Sequence, residues 1–136
     1  MRIVVCLDDA GGMLFNHRRQ SRDRFVIDDI LKLTELKTLY ISEFSTKLFA
    51  DSEKAYKISE NMLDEAESED YCFVENISLA PYASKIDQIV VYRWNRLYPS
   101  DMRFDIDLAA EGFSKATSEE FKGYSHEKIT KEIYVR

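Results

Sequence analysis

The sequence predicts an α/β domain with a mostly parallel central sheet, flanking helices and an antiparallel C-terminal hairpin. Three observations carry this. Ile3-Val4-Val5-Cys6-Leu7, Tyr71-Cys72-Phe73-Val74 and Ile89-Val90-Val91-Tyr92 are apolar runs of strand length, as expected of strands buried on both faces. Segments with helical spacing lie between the strands, which favours parallel pairing. The chain then ends on Ile129 to Val135, where Ile129, Lys131, Ile133 and Val135 alternate with Thr130, Glu132 and Tyr134.

The elements follow in order. Residues 2–7 form the first strand, and Asp8-Asp9-Ala10-Gly11-Gly12 is a turn in which glycine makes positive φ cheap. Met13-Leu14-Phe15 is a short apolar return before an Arg-rich loop. Phe25, Val26, Ile30 and Leu33 share one face of a helix over 25–33. Leu39-Tyr40-Ile41 is a strand, and a short helix follows from Ser45 to Phe49 with Ser45 near its N-cap. Ala55-Tyr56-Lys57-Ile58 is a short strand. Ser59 caps a helix running to about Ser68, a partial capping box because Met62 stands where an acid is usual. Its many acids make a solvated face. A short helix over Pro81 to Ile86 leads into the strand at Ile89–Trp94. Phe104 to Leu108 closes an irregular segment. Phe113 to Phe121 is a strand reaching the Lys122-Gly123 turn.

The chain has 136 residues, of which 45% are hydrophobic and 32% charged, as in a single globular domain over 1–136 with its own core. No apolar run approaches the roughly 18 residues of a membrane span, and the first strand is too short for a signal-peptide core. A cytoplasmic, bacterial-type protein is the simplest expectation, with Cys6 and Cys72 as buried reduced thiols. The acidic balance disfavours broad nucleic-acid binding. A homodimer is compatible with the composition.

The formal net charge is -6, yet residues 17–24 (His17, Arg18, Arg19, Gln20, Ser21, Arg22, Asp23, Arg24) carry +3. A concentrated positive segment on an acidic body points to an anion site. Arg forks bind phosphate or carboxylate in bidentate fashion, and His17 would add acid-base capacity near neutral pH. The plain alternative is a surface loop paired with the chain's own acids, such as Asp23 and Asp28.

The element order resembles the dihydrofolate reductase fold. The opening strand with Gly12-Met13 is similar to that family's first strand and Gly-Met turn. Tyr71–Val74 is similar to the strand before its glycine pair, Ile89–Tyr92 to the next long strand, Phe104–Asp107 to a following aromatic-acid segment, and Ser125-His126 to Val135 to its last hairpin strand. The resemblance implies an NADPH site, and the departures argue against one. Glu75-Asn76 stand where a Gly-Gly pair would approach the pyrophosphate. Ser42-Glu43-Phe44-Ser45 stands where a Gly-Arg-x-Thr turn would contact phosphate, with Glu43 reversing the charge. The substrate-side acid would fall at Asp28 or Asp29. The Arg-rich segment occupies the place of the family's mobile substrate-side loop. The opening also looks like that of small Firmicutes proteins carrying a ribonuclease Z label. That enzyme's His-x-His-x-Asp-His zinc motif has no counterpart here, where the only histidines are His17 and His126.

Two other patterns have bland explanations. Tyr92-Arg93-Trp94-Asn95-Arg96-Leu97-Tyr98 mixes aromatics and Arg as RNA-binding strands do, but period two puts Tyr92, Trp94 and Arg96 on one packed face. Asp8-Asp9, Asp28-Asp29 and Asp105-x-Asp107 could gather around Mg²⁺, yet acidic pairs are expected in so acidic a chain, and no metal site is predicted. The expectation is therefore a dihydrofolate-reductase-like protein that has lost NADPH binding. It would bind a small anion, or regulate through one, using His17, Arg18, Arg19, Arg22 and Arg24. A phosphoester or RNA-processing hydrolase using His17, the arginines and the Asp pairs is the second expectation. A divergent reductase with another hydride source is the third.

Overall fold

The computed structural model describes residues 1–52 and 56–136. A seven-stranded sheet forms its centre. The strands are β1 (Arg2–Leu7), β4 (Leu39–Ile41), β5 (Lys57–Ile58), β6 (Tyr71–Phe73), β7 (Gln88–Arg93), β9 (Ser114–Phe121) and β10 (Ile129–Val135), in the order β5-β4-β6-β1-β7-β10-β9. The first five are parallel. β10 then runs antiparallel to β7, and β9 antiparallel to β10. The predicted α/β sheet with its antiparallel ending is thus present. Ala55, assigned to a strand from sequence, lies outside the described residues.

Alternation along each strand divides the core into two layers. Ile3, Val5 and Leu7 of β1 pack with Cys72, Val74, Ile89 and Val91 on one face. Val4 packs with Tyr71, Phe73, Val90, Tyr92 and Trp94 on the other, under helix α1 (Arg24–Leu33) through Val26 and Ile30. A 3₁₀ helix at Glu43–Phe49 covers the same face with Phe49. Cys6 and Cys72 therefore project to opposite faces and are both free. Cys72 is buried as expected, and burial pushes its thiol up to about 12. Cys6 is only half-buried, because it lines a crevice rather than lying wholly within the layer.

The Arg-rich segment is not one loop. β2 (Gly12–Phe15) and β3 (Arg18–Arg19) form a hairpin, pairing Leu14 with Arg19 and Phe15 with Arg18. Asn16 and His17, at φ 52° and 60°, are the two central residues of its turn. Positive φ at both fits a type I′ turn, whose twist matches that of the strands. β2 also pairs with β8 (Met102–Arg103), within the stretch expected to be irregular.

Two helices differ from expectation. The first 3₁₀ helix starts after Ser42, and Ser45 is inside it and fully buried. The helix expected from Ser59 to Ser68 shrinks to α2 (Met62–Glu65), preceded by Asn61. Between Glu60 and Asp70 there is no Lys or Arg, so acids three and four apart repel without compensation. The helix expected at Pro81–Ile86 is 3₁₀, at Ala80–Lys85.

Candidate functional site

The C-terminal ends of the parallel strands face a cleft, the usual ligand position in an open α/β sheet. Its outer part, about 620 Å³, lies between α1 and the first 3₁₀ helix. Arg22, Arg24, Asp28, Lys47, Asp51 and Tyr124 bring polar groups to it, and Ile27, Leu31, Leu48 and Phe49 supply an apolar wall. Its inner part narrows to a crevice of about 20 Å³, floored by Cys6, Phe73, Val74 and Trp94. Arg22, Asp23, Ile27 and Leu48 line both parts, so the two adjoin.

The crevice is narrow because the chain fills it. Arg19 on β3 reaches across to Glu75, just past β6, in a two-pronged pair: Nε donates to Oε2 at 2.9 Å and an Nη donates to Oε1 at 3.0 Å. The same Nη donates to the Phe44 carbonyl, and the guanidinium lies 4.7 Å from the Phe44 ring centre. Ser45 Oγ donates to Glu75 at 2.7 Å. A second carboxylate, that of Glu60, accepts from the Glu43 backbone N–H at the start of the 3₁₀ helix. The chain's own acids thus occupy both places where the sequence resemblance puts phosphate contacts.

A buried network lies beside this pair. Asp23 caps α1 and is 2% exposed. Its Oδ1 accepts from the Phe25 and Tyr124 backbone N–H groups, and its Oδ2 from the Ser125 backbone N–H. Oδ2 also bonds His126 Nδ1 at 2.8 Å. Burial pushes the Asp23 carboxyl up, but the donors Tyr124, His126, Ser125 and Phe25 outweigh it, holding it well below the usual carboxylate range. An ionised Asp23 calls for a proton on His126 Nδ1, and in the neutral imidazole Nε2 is then the acceptor. Nε2 lies 3.0 Å from Ser21 Oγ and 3.3 Å from Tyr98 Oη. The imidazole stacks on Trp94 with ring centres 4.7 Å apart and planes 23° from parallel. Gly123 is required for this packing: a Cβ there would fall 2.6 Å from Asp23 Oδ2.

Asp8, 1% exposed, organises the turn after β1 in a related way. Its Oδ1 accepts from Ala10 and Gly12 backbone N–H groups, and its Oδ2 from Gln20 Nε2 and the Tyr98 N–H. Burial raises its carboxyl, but these donors win and its pKa is lowered. Gly12 leaves the space, since a Cβ would lie 2.5 Å from Gln20 Nε2 and 2.9 Å from Asp8 Oδ2.

The anion cluster expected at His17, Arg18, Arg19, Arg22 and Arg24 does not converge. His17 and Arg18 are exposed at the hairpin turn and its first return residue. Arg19 is committed to Glu75. Arg22 and Arg24 reach the outer cleft, where Arg24 lies 4.6 Å from the Tyr124 ring centre. Strand alternation and the type I′ turn part His17, Arg18 and Arg19, while Arg22 lies in the loop before α1 and Arg24 in its first turn. Of the two candidate acids, Asp28 lines the outer cleft. Asp29 turns to the sheet, accepting from Tyr92 Oη at 2.5 Å and pairing with Lys131 Nζ at 2.8 Å.

The acidic pairs considered for Mg²⁺ do not gather. Among the described residues no three His, Cys, Asp or Glu side chains come together. Asp105 instead accepts from the Leu79 and Ala80 N–H groups, and Asp107 from that of Ala110. Tyr92 and Trp94 are buried, so their faces pack in the core rather than stack on bases. Sequence reasoning missed Asp23 and His126 as a pair. The Asp23 cap is signalled by the apolar run after it. Nothing local signals a partner 103 residues away.

The parallel core, the switch in strand order at β1 and the antiparallel ending define a dihydrofolate-reductase-like α/β fold. The structure is similar to dihydrofolate reductase from Enterococcus faecalis complexed with NADP(H) and RAB-propyl, with a TM-score of 0.70 and 11% identity, covering 99% of this chain and 95% of that one. At such identity the likeness is one of fold. No protein-family model and no curated protein matches the sequence. Among the described residues no helix is long and apolar enough to cross a membrane.

Proposed function

We propose that this chain is a ligand-binding protein on a dihydrofolate-reductase-like fold that does not use NADP(H). Its ligand is a small anion with an apolar body, held in the outer cleft. The carrying observation is the Arg19–Glu75–Ser45 cluster with Glu60 at the Glu43 N–H. A pyrophosphate approaching there meets two carboxylates already hydrogen-bonded to the donors it needs, and charge repulsion opposes exchange. The dinucleotide therefore does not fit these residues.

The outer cleft supports the anion part of the reading. Arg22, Arg24 and Lys47 face it against the exposed carboxylates Asp28 and Asp51. Ile27, Leu31, Leu48 and Phe49 give a ligand body apolar surface to bury. The anion site thus rests on Arg22 and Arg24 with Lys47, and not on His17, Arg18 or Arg19.

Calorimetry tests both halves. NADPH gives no heat of binding, and micromolar affinity for it would overturn the reading. With 2-naphthoate as an aromatic carboxylate probe, binding is expected to weaken roughly tenfold in Arg22→Ala/Arg24→Ala, the loss of about 1.4 kcal/mol of charge-assisted contact. Unchanged affinity in that variant would remove the cleft cations from the reading.

A further inference from the structure

The Ser21–His126–Asp23 chain has a direction that a purely structural network does not need. Asp23 Oδ2 receives His126 Nδ1 at 2.8 Å, and His126 Nε2 lies 3.0 Å from Ser21 Oγ. Both distances fall within hydrogen-bond reach of a nucleophile, its base and the base's orienting acid. The orienting end is rigid: Asp23 is held by three backbone N–H groups besides the imidazole. The base is fixed as well, stacked on Trp94 and 4% exposed. Ser21 is half-buried and lines the inner crevice, which adjoins the outer cleft along Arg22, Ile27 and Leu48.

We propose that Ser21, His126 and Asp23 form an acyl-transfer triad acting on carboxylic esters. Ser21 Oγ adds to the ester carbonyl carbon as its proton passes to His126 Nε2. The carbon–alkoxide bond then breaks, the alkoxide takes the proton from Nε2, and an acyl-Ser21 ester remains. Water adds to that ester's carbonyl carbon, giving a proton to Nε2. The Ser21 Oγ–carbon bond breaks, Oγ recovers the proton and the acid leaves. No oxidant, reductant or metal enters. Asp23 keeps its negative charge and steadies the imidazolium formed in each half. Arg22, between Ser21 and Asp23 in sequence, is a cation lining both parts of the cleft, suited to the negative charge developing on the carbonyl oxygen.

Tyr98 Oη also points at Nε2, at 3.3 Å, and competes with Ser21 for its lone pair. This competition supplies a control that leaves the triad intact. The test treats the full chain with a fluorophosphonate, which forms a serine phosphonate ester and releases fluoride, and reads the product by intact mass and peptide mapping. Wild type is expected to take up a single adduct on Ser21. Tyr98→Phe keeps that adduct and forms it at least as fast. Ser21→Ala, at a half-exposed position outside any helix or strand, folds and takes up none. With p-nitrophenyl acetate, wild type releases p-nitrophenolate above the buffer rate and Ser21→Ala does not. A folded wild type without an adduct on Ser21 overturns the proposal, as does equal labelling of Ser21→Ala. The test involves neither NADPH nor the carboxylate probe, so its failure would leave the anion-binding reading standing, and the reverse also holds.

Discussion

Asp8 and Asp23 are packaged alike and placed to opposite ends. Each is a buried carboxylate fed by backbone N–H groups, each packs against a glycine whose Cβ would strike it, and each ties an early turn to a segment about a hundred residues later. Asp8 ends on the neutral amide of Gln20. Asp23 ends on an imidazole whose far nitrogen faces a serine and a tyrosine. The same means of holding a carboxylate therefore gives a closed turn in one place and an open, polarised chain in the other. The side chain that donates to the carboxylate, an amide or an imidazole, decides which.

The sharpest way to break this comparison is to remove each carboxylate. Asp23→Ala loses an N-cap and leaves a buried imidazole and several N–H groups unpaired, so urea unfolding should show a loss of about 3–5 kcal/mol. Asp8→Ala leaves only neutral donors and should cost less, about 2–3 kcal/mol. Equal losses would mean that the titratable partner adds nothing.

Acid comes next. Both carboxyls sit below their ordinary value in the folded state. Their contribution to stability is fully present above the unfolded value of about 3.9 and is lost as pH falls through it towards the folded values. Thermal midpoints should therefore drop below about pH 4. Asp23→Asn should lose less stability than wild type over that acid range, and parallel curves for the two would contradict the assignment.

Glycine substitutions probe the packing more gently. Gly123→Ala sets a Cβ against a carboxylate held from three sides and should cost about 1–3 kcal/mol by chemical denaturation. Gly12→Ala meets the movable end of Gln20 at 2.5 Å but also the Ser100 Cβ at 2.7 Å, which only a backbone shift can move, so its cost should be comparable. A much smaller cost at Gly12 would mean that the backbone at Ser100 yields.

The smallest effect expected is at the hairpin turn. His17→Gly gives the Asn-Gly pair that a type I′ turn favours, so it should raise stability by about 0.5 kcal/mol without changing binding of the carboxylate probe. Weakened probe binding would return His17 to the ligand site.

The strands were legible because burial on both faces leaves no room for polar alternation, as in Ile3–Leu7 and Ile89–Tyr92. The C-terminal hairpin showed itself by period two. Helix lengths were less legible, since Ser59 looks like a cap whatever the acids after it do. The site was half visible. Arg19 and Glu75 each stand out by charge, one as a cation cluster and the other as a reversed phosphate contact. Only the folded chain makes them partners, 56 residues apart. The Asp23–His126 bond is less legible still, because each residue has an ordinary local role and the contact spans nearly the whole chain.

That span bears on synthesis. Residues 1–93 hold the five parallel strands, and α1 lies within the first quarter of the chain. Yet three of the groups that hold Asp23, on Tyr124, Ser125 and His126, leave the ribosome after residue 123. Until the β9–β10 connection docks, the cap of α1 is a buried charge short of donors, and Ser21 has no imidazole beside it. Assembly of the site thus waits for synthesis of the β9–β10 connection, and a product cut short before it that has formed its parallel sheet still lacks the site.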